Sequence, residues 1–273
     1  MVTFLRRFLL TSLLAVQCLF FGCTVDLLGL FGSTGLSERF AERNNFKFLL
    51  PEQRTITLGN DFSFIVLSDT HIENGDAFGL EKLAEVITPD DKFVIIIGDI
   101  TQCAYEQDIK KFIEIAGLMG IPCYPVIGNH DIYFNNWSNW KELIGSTCYR
   151  IDGGGATLFI LDSANAYFGK DQLDWLDSEL TGAKGRVFAF THTNFFVESP
   201  TDIQQVTDVR ERARVLSILR NRCDVMFSGH LHKRIESEAG GVKFIAIEDF
   251  RHAKIYCRVT VSGGGISYQY EKL

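Results

Sequence analysis

The chain has 273 residues, of which 46% are hydrophobic and 22% charged, and its net charge at pH 7 is −7. A chain of this length and composition builds a folded domain with a large core, which excludes a disordered, collagen-like or disulfide-dependent protein. The acidic balance also argues against a protein that binds nucleic-acid phosphates through a basic surface.

The first 22 residues have the layout of a secretory signal peptide. Arg6 and Arg7 precede an apolar run that extends from Phe8 to about Cys23. Gly22-Cys23 resembles the cleavage site of a bacterial lipoprotein signal, in which the cysteine is lipidated. We therefore expect residues 1–22 to be removed, residues 23–60 to form a lipidated tether, and the exported protein to be anchored to a membrane of the cell envelope. An uncleaved membrane anchor is the alternative, because about 20 apolar residues suffice to span a bilayer.

The cysteines beyond Cys23 form neither a disulfide framework nor a zinc pattern. They are scattered through the domain, without C-x-x-C spacing, as Cys103, Cys123, Cys148, Cys223 and Cys257. Those in apolar stretches are expected to be buried as small hydrophobic side chains. An oxidising compartment would permit one disulfide, which the sequence does not pair.

Short runs rich in Ile, Val and Phe alternate with amphipathic segments from Phe62 onward. This alternation predicts one α/β domain over residues 61–273. The predicted strands are Phe62–Ser68, Phe93–Gly98, Cys123–Gly128, Thr157–Asp162, Arg186–Thr191, Asp224–Ser228, Lys243–Ile247, Ile255–Val261 and Ile266–Tyr270. The predicted helices are Tyr105–Leu118, Asp171–Leu180 and Asp208 to about Asn221. The last three strands have no predicted helix between them, so part of the sheet system is expected to be antiparallel.

Polar side chains follow five of these strands at the point where each strand ends. They lie in the segments Asp69-Thr70-His71, Gly98-Asp99, Gly128-Asn129-His130-Asp131, Thr191-His192 and Gly229-His230-Leu231-His232. Ligand sites in α/β proteins form beyond the carboxyl ends of strands, so we expect these side chains to meet. Five of the six histidines fall in these segments and only His252 does not. Together they indicate a metal site.

The residue types suit first-row metal ions. Imidazole, carboxylate and amide oxygen are ligands for zinc, iron or manganese. We expect Asp69 and His71 to point the same way because residues two apart in an extended segment do so, and we expect the same of His230 and His232. The glycines that precede three of the candidate ligands are expected to let the backbone turn sharply close to the ions.

These segments resemble the five-part signature of the calcineurin-like metallophosphoesterases. The match runs from about Phe62 to Ile247, and the stretch from Gly169 to Leu176 resembles a helix of the cyclic-nucleotide phosphodiesterase-like branch. The resemblance implies a four-layer α/β/β/α sandwich of two mixed sheets, with two metal ions at the C-terminal ends of the strands. It implies that Asp69, His71, Asp99 and His232 hold one ion, and that Asp99, as a bridge, holds the other with Asn129, His192 and His230.

The same resemblance assigns His130 and Asp131 to catalysis. His130 would stabilise the transition state and protonate the leaving oxygen, and Asp131 would orient its ring. The implied reaction is hydrolysis of a phosphomonoester or phosphodiester by a hydroxide that bridges two Mn, Fe or Zn ions. The implied partner is a small phosphorylated substrate, and no specific nucleic-acid binding is expected.

Two positions depart from the family pattern. Gln102 stands three residues after Asp99, where the purple acid branch has a tyrosine ligand, so a tyrosinate-coloured iron site is not expected. Asn194 stands where a proline is common, two residues after His192, and is expected to reshape the loop Thr193–Pro200.

Two alternatives come from other classes of protein. One is a metal-binding scaffold without catalysis, which the complete set of ligands and the presence of His130 disfavour. The other is a surface-displayed binding protein whose hydrolysis is incidental. The aromatic residues from Tyr133 to Trp140 are expected in the core, with a wall that stacks a substrate ring as the alternative. His252 is expected to be a surface or packing residue.

Overall fold

The computed structural model describes residues 35–196 and 205–273, so the predicted signal peptide and Cys23 lie outside the described residues. The described strands are β1 (Thr55–Leu58), β2 (Phe62–Ser68), β3 (Asp91–Ile97), β4 (Cys123–Val126), β5 (Tyr149–Gly154), β6 (Ala156–Ile160), β7 (Arg186–Phe190), β8 (Val225–Ser228), β9 (Ile235–Ala239), β10 (Val242–Ala246), β11 (Ile255–Ser262) and β12 (Gly265–Lys272). The described α-helices are α1 (Leu36–Ala41), α2 (Leu83–Val86), α3 (Glu106–Leu118), α4 (Trp137–Leu143), α5 (Lys170–Leu180), α6 (Val209–Leu219) and α7 (Phe250–Ala253). Short 3₁₀ helices cover Pro51–Arg54, Leu80–Lys82 and His130–Asn135.

The strands form two mixed sheets. One has seven strands in the order β1-β5-β6-β7-β8-β10-β9, and the other has five in the order β12-β11-β2-β3-β4. Strands β2, β3 and β4 run parallel, as do β6, β7, β8 and β10. Strand β11 is antiparallel to both β2 and β12, which confirms the expected antiparallel part.

An aromatic layer joins the two sheets face to face. Phe64 and Phe93 of the five-stranded sheet stack with ring centroids 4.6 Å apart. Phe64 also meets Phe188 of the seven-stranded sheet edge-on at 5.1 Å, an arrangement that aromatic pairs favour. Strands β2 and β3 are buried along almost their whole length, which explains their continuous apolar runs.

Helices cover the two outer faces. Ile109 and Phe112 of α3 pack on the five-stranded sheet, and Leu173 of α5 and Val215 of α6 pack on the seven-stranded sheet. These helices begin and end within a few residues of the predicted bounds. The four-layer α/β/β/α sandwich is therefore confirmed.

The segment before β2 belongs to the domain, in contrast to the tether predicted to end at residue 60. Leu36, Phe40 and Leu49 are buried, and Arg39 is fully buried with Nε donating to Asp162 Oδ2 at 2.7 Å. Strand β1 pairs with β5 and extends the seven-stranded sheet. A short edge strand with exposed side chains has little of the periodicity that identifies a central strand, which is why it was missed.

Several further elements were not predicted, among them the short helices α2 and α4. Strand β5 ends in glycines, strand β9 carries charged exposed side chains, and the four-residue helix α7 lies between β10 and β11. Helix α7 corrects the expectation that the last strands follow one another without a helix. Among the described residues, no helix has the length and apolar character needed to cross a membrane.

Candidate metal centre

The two sheets bring the predicted ligands together at one edge of the sandwich. The five-stranded sheet supplies those that follow β2, β3 and β4, and the seven-stranded sheet supplies those that follow β7 and β8. In order, the ligands are Asp69, His71, Asp99, Asn129, His192, His230 and His232. Asp99 belongs to two groups of close ligand atoms, one with His71 and one with His192, so it lies at the centre of the arrangement.

The first group contains Asp69, His71 and His232. Asp69 Oδ1 lies 3.3 Å from His232 Nε2 and 3.9 Å from His71 Nε2. His71 Nε2 also lies 3.9 Å from Asp99 Oδ2. Ligand atoms that share an ion at bond lengths of about 2.0–2.2 Å are separated by distances of this order. The spacing therefore suits one metal ion.

The second group surrounds His192 Nε2. This nitrogen lies 3.0 Å from Asn129 Oδ1, 3.0 Å from His230 Nδ1 and 3.2 Å from Asp99 Oδ2. His192 Nδ1 lies 3.1 Å from the carbonyl oxygen of Ile97, which can only accept a hydrogen bond. Nδ1 therefore carries a proton, and once the ring is neutral the lone pair of Nε2 faces the other three ligand atoms.

Buried polar atoms without partners show that these residues fit a metal ion. Asp69 Oδ1 and both ring nitrogens of His71 are buried and form no hydrogen bond. Leaving such atoms unpaired costs about 1–3 kcal/mol each, and more for a charged group. The other oxygen of Asp69 is occupied, because Oδ2 accepts from the Ser68 hydroxyl and from the backbone N–H of His230. The carboxylate is thus oriented with one oxygen free for an ion.

Asn129 is oriented by a residue that sequence reasoning did not assign. Its Nδ2 donates to the Tyr133 hydroxyl at 2.8 Å, so its Oδ1 faces His192. The Tyr133 ring also lies against His130, with centroids 4.3 Å apart. The sequence predicted Tyr133 as a core residue, because an aromatic residue beside a motif usually packs in the core. It gave no signal of the contact with Asn129.

The charges of the site are strongly coupled. Burial disfavours the protonated form of both His192 and His232 and so lowers their pKa values. The charge of Asp99 outweighs this effect for His192, and contact with Asp69 outweighs it for His232, so that the pKa of each ring is raised to about 9. Burial lowers the pKa of His71 to about 4, and burial with the charge of His192 lowers that of His230 to about 3. Burial raises the pKa of Asp69, but contact with His232 and nearby charges lower it to about 2. Both protonated and neutral imidazoles therefore surround ionised carboxylates.

The backbone of the site is left-handed at most of the ligands. Positive φ angles of 46–71° occur at Asp69, His71, Asp99, His230 and His232. The segment from Asp69 to His71 is therefore not extended, in contrast to the expectation. The two side chains still converge, as expected, but because of this left-handed backbone. Non-glycine residues in this conformation are strained by about 1–3 kcal/mol each, and such strain clusters at functional sites.

Glycines allow the loops to approach one another. A side chain at Gly229 would collide with the Ser68 hydroxyl, and one at Gly98, where φ is 69°, would collide with the ring of His192. The predicted close approach of the backbone is confirmed at both positions.

His130 lies beside the ligands but is more open than most of them. Its side chain is 21% exposed, and its Nε2 lies 3.9 Å from Asp99 Oδ2. Its backbone N–H donates to Asp99 Oδ1 at 2.9 Å. Its Nδ1 lies 2.9 Å from the carbonyl oxygen of Gln102, which fixes the direction of the ring.

Asp131 does not orient that ring, and this corrects the prediction. Its carboxylate accepts from the backbone N–H groups of Gly128, Ile100 and Thr101 at 2.9–3.2 Å and from the Thr101 hydroxyl at 2.9 Å. Asp131 therefore fixes the loop that carries Asp99 against the loop that carries Asn129. Burial and the charge of Asp99 raise its pKa to about 6.

The other predicted positions have mostly structural roles. Trp137 and Trp140 are buried in the core, whereas Phe134 is 52% exposed. His252 is an exposed side chain held by Asp249 at 2.6 Å. Asn194 is buried and accepts from the backbone N–H of Phe195 at 2.8 Å and from the hydroxyl of Ser228 at 3.2 Å.

The five described cysteines are all free thiols. Four of them are buried and Cys103 is partly buried, so the disulfide that an oxidising compartment would permit is not formed among them. Cys123, Cys223 and Cys257 are buried as expected.

Comparison with known proteins identifies the family. A family model described as calcineurin-like phosphoesterase matches residues 62–234. A "Probable cyclic nucleotide phosphodiesterase" of Fibrobacter succinogenes is 26% identical over 196 residues, which cover 62% of this chain and 72% of that protein. A "Probable glycerophosphodiester phosphodiesterase" of Arcobacter nitrofigilis is 25% identical over 195 residues, which cover 62% of this chain and 71% of that protein.

Solved structures share the fold at low sequence identity. A dimetal phosphatase from Danio rerio has a TM-score of 0.58 at 14% identity and covers 77% of this chain and 95% of its own. A purple acid phosphatase from yellow lupin has a TM-score of 0.61 at 11% identity and covers 78% of this chain and 51% of its own. The family match and the relatives define a phosphate-ester hydrolase. The chain belongs to the calcineurin-like phosphoesterase family.

Proposed function

We propose that the protein is a dinuclear metal-dependent phosphoesterase in which His130 is the proton donor. The observation that carries the proposal is the convergence of carboxylate, amide and imidazole atoms on both sides of Asp99. The residues proposed to hold the first ion are Asp69, His71, Asp99 and His232, and those for the second are Asp99, Asn129, His192 and His230. When bound, such ions neutralise phosphate charge and activate water at neutral pH.

His130 is proposed to act on the leaving group. Its Nδ1 is engaged by the carbonyl of Gln102, so Nε2 is the nitrogen that exchanges a proton with the substrate. The partly exposed ring stands at the open side of the ligands, where a bound ester can reach it. A positioned general acid contributes about 10²–10⁴-fold to the rate.

Phosphodiesters are the proposed preferred substrates. The two curated relatives are both named as phosphodiesterases, one for cyclic nucleotides and one for glycerophosphodiesters. These names support an ester with two carbon substituents.

The test compares p-nitrophenyl phosphate with bis(p-nitrophenyl) phosphate, using protein purified without chelators. We expect metal-dependent turnover with higher kcat/KM for the diester, and loss of metal and turnover in Asp99→Ala. A control is Lys110→Ala, whose side chain is 60% exposed beside Glu106 on helix α3 and whose turnover should equal that of the wild type. Bound metal without turnover of either ester would favour the scaffold or binding-protein alternative.

We also propose that the protein is exported and anchored at Cys23. The support is Arg6, Arg7 and the apolar run that ends at Gly22-Cys23. Mass spectrometry of the membrane-extracted protein should find a lipid-modified Cys23 at the amino terminus. An intact Met1 or cleavage at another position would refute the lipid anchor.

A further inference from the structure

Arg251 of helix α7 contacts the two loops of the candidate metal centre that follow β2 and β3. Its backbone N–H donates to the carbonyl of Asp69 at 3.2 Å. Its side chain donates from Nη1 to Gln102 Oε1 at 3.1 Å and from Nη2 to Glu73 Oε2 at 2.9 Å. The guanidinium carbon also lies 4.4 Å from the ring centroid of Phe78. These contacts fix the guanidinium, which is 23% exposed, in one place.

Gln102 connects Arg251 to His130. Its side-chain oxygen accepts from Arg251, and its main-chain oxygen lies 2.9 Å from His130 Nδ1. A carbonyl oxygen can only accept, so this contact places a proton on Nδ1 and leaves Nε2 to face Asp99. The direction and tautomer of the His130 ring thus depend on the position of residue 102.

Among the described contacts, Arg251 is the one hydrogen-bond partner of the Gln102 side chain. The backbone N–H of Gln102 donates to the carbonyl of Ile72 at 2.9 Å, next to Glu73. Arg251 bridges Glu73 and Gln102 and therefore closes a ring of contacts between the loops that follow β2 and β3. Asp131 restrains the same loop from the other side, but through Ile100 and Thr101 and without contact to Gln102.

We propose that Arg251 is a positioning residue for His130, acting through the main-chain carbonyl of Gln102. The inference rests on the proposed role of His130 as proton donor. Replacing the Arg251 side chain should therefore impair only the proton transfer that His130 performs. Metal content should be unchanged, because the backbone N–H of Arg251 still reaches Asp69 when the side chain is replaced.

The test uses two esters of the class that the wild type hydrolyses, one with p-nitrophenol and one with an alkanol as leaving group. Arg251→Met should lower kcat about tenfold for the alkyl ester, which is less than the roughly 10²–10⁴-fold that a general acid contributes in full, and change the nitrophenyl ester far less. KM and bound metal should stay at wild-type values. Arg251→Lys, which keeps the charge but has a single donor nitrogen in place of the guanidinium fork, should recover part of the loss.

A double-mutant cycle shows whether the effect passes through His130. In the His130→Ala background, Arg251→Met should cause no further loss on the alkyl ester. The inference would be overturned if the losses in kcat of the two variants added in the double variant, or if Arg251→Met lost equally on both esters. It would also be overturned if Arg251→Met raised KM with kcat unchanged, because that result would show direct substrate binding. Full activity of His130→Ala on the alkyl ester would instead refute the proposed function.

A spectroscopic measurement is independent of turnover. Ring ¹⁵N shifts of His130 in zinc-loaded protein, assigned by comparison with His130→Ala, report which ring nitrogens carry a proton. The wild type should show the Nδ1–H tautomer and Arg251→Met a mixture. Identical tautomers in both proteins would overturn the inference, even where Arg251→Met lowers activity.

Discussion

At the scale of single residues, His130 differs from its neighbours in what it contacts. The proposed ligands direct ring nitrogens or oxygens at one another, whereas His130 has one ring nitrogen held by Gln102 and the other 3.9 Å from Asp99. It also forms a group of close ligand atoms with His71 and Asp99, so a ligand role is the alternative to a proton-donor role. Substitution separates the two roles.

His130→Ala should lower kcat about 10²–10⁴-fold on an alkyl ester, because the leaving alkoxide then lacks a proton donor. The loss should shrink for p-nitrophenol, which departs without a proton. Elemental analysis should find wild-type metal content in His130→Ala and reduced content in Asp99→Ala. Equal metal loss in both variants would identify His130 as a ligand.

Two histidines make metal binding dependent on pH. The pKa values of His192 and His232 are about 9 without metal, so both rings are protonated at pH 7 and must lose those protons to bind an ion. His71 and His230, with pKa values of about 4 and about 3, are already neutral and release none. Affinity should therefore rise with pH up to about 9 and level off above it.

Calorimetry of manganese binding at pH 7, in buffers of different ionisation enthalpy, should show release of about two protons per chain. Lys110→Ala should release the same number, because its side chain is exposed on helix α3 beside Glu106, away from the proposed ligands. Binding without proton release would contradict the assignment of His192 and His232 as ligands.

At the scale of elements, the segment from α1 to β1 is required for the fold. It buries Leu36, Phe40, Leu49 and Leu58, and each such side chain contributes about 1.5–3 kcal/mol. It also supplies Arg39, without which the fully buried Asp162 would keep an uncompensated charge. Together these terms are comparable to the whole stability of a domain, about 5–15 kcal/mol.

A variant that begins at Asp61 should therefore be unfolded or nearly so, whereas a variant that begins at Gly35 should unfold cooperatively. Urea denaturation followed by circular dichroism compares them directly. Equal urea midpoints would show that residues 35–60 are the tether that the sequence predicted.

The elements that sequence predicted well are those buried on both sides. Strand β2 has its predicted bounds because its seven residues are all buried and hence apolar. Strands β1 and β9 were not predicted, because many side chains of these edge strands are exposed and their sequences resemble those of loops. The helices that cover the sheets were found because each has one apolar face, as in α3.

At the scale of the whole molecule, the site exists because two sheets end at the same edge. The five-stranded sheet supplies carboxylates and an amide, and the seven-stranded sheet supplies three of the four proposed histidine ligands. The residues of the cluster were predictable because each follows a strand. The residues that support the cluster were not predictable, because no sequence motif marks their contacts. Tyr133 acts through its hydroxyl, Gln102 through its main-chain carbonyl and Arg251 through a guanidinium distant in sequence.

The central claim is that two ions held around Asp99 make this protein a phosphoesterase. Its most direct test is turnover of bis(p-nitrophenyl) phosphate while metal-free protein is titrated with manganese. Turnover should rise until about two equivalents are bound, and Asp99→Ala should stay inactive throughout. Turnover that is complete at one equivalent, or absent at every manganese concentration, would contradict it.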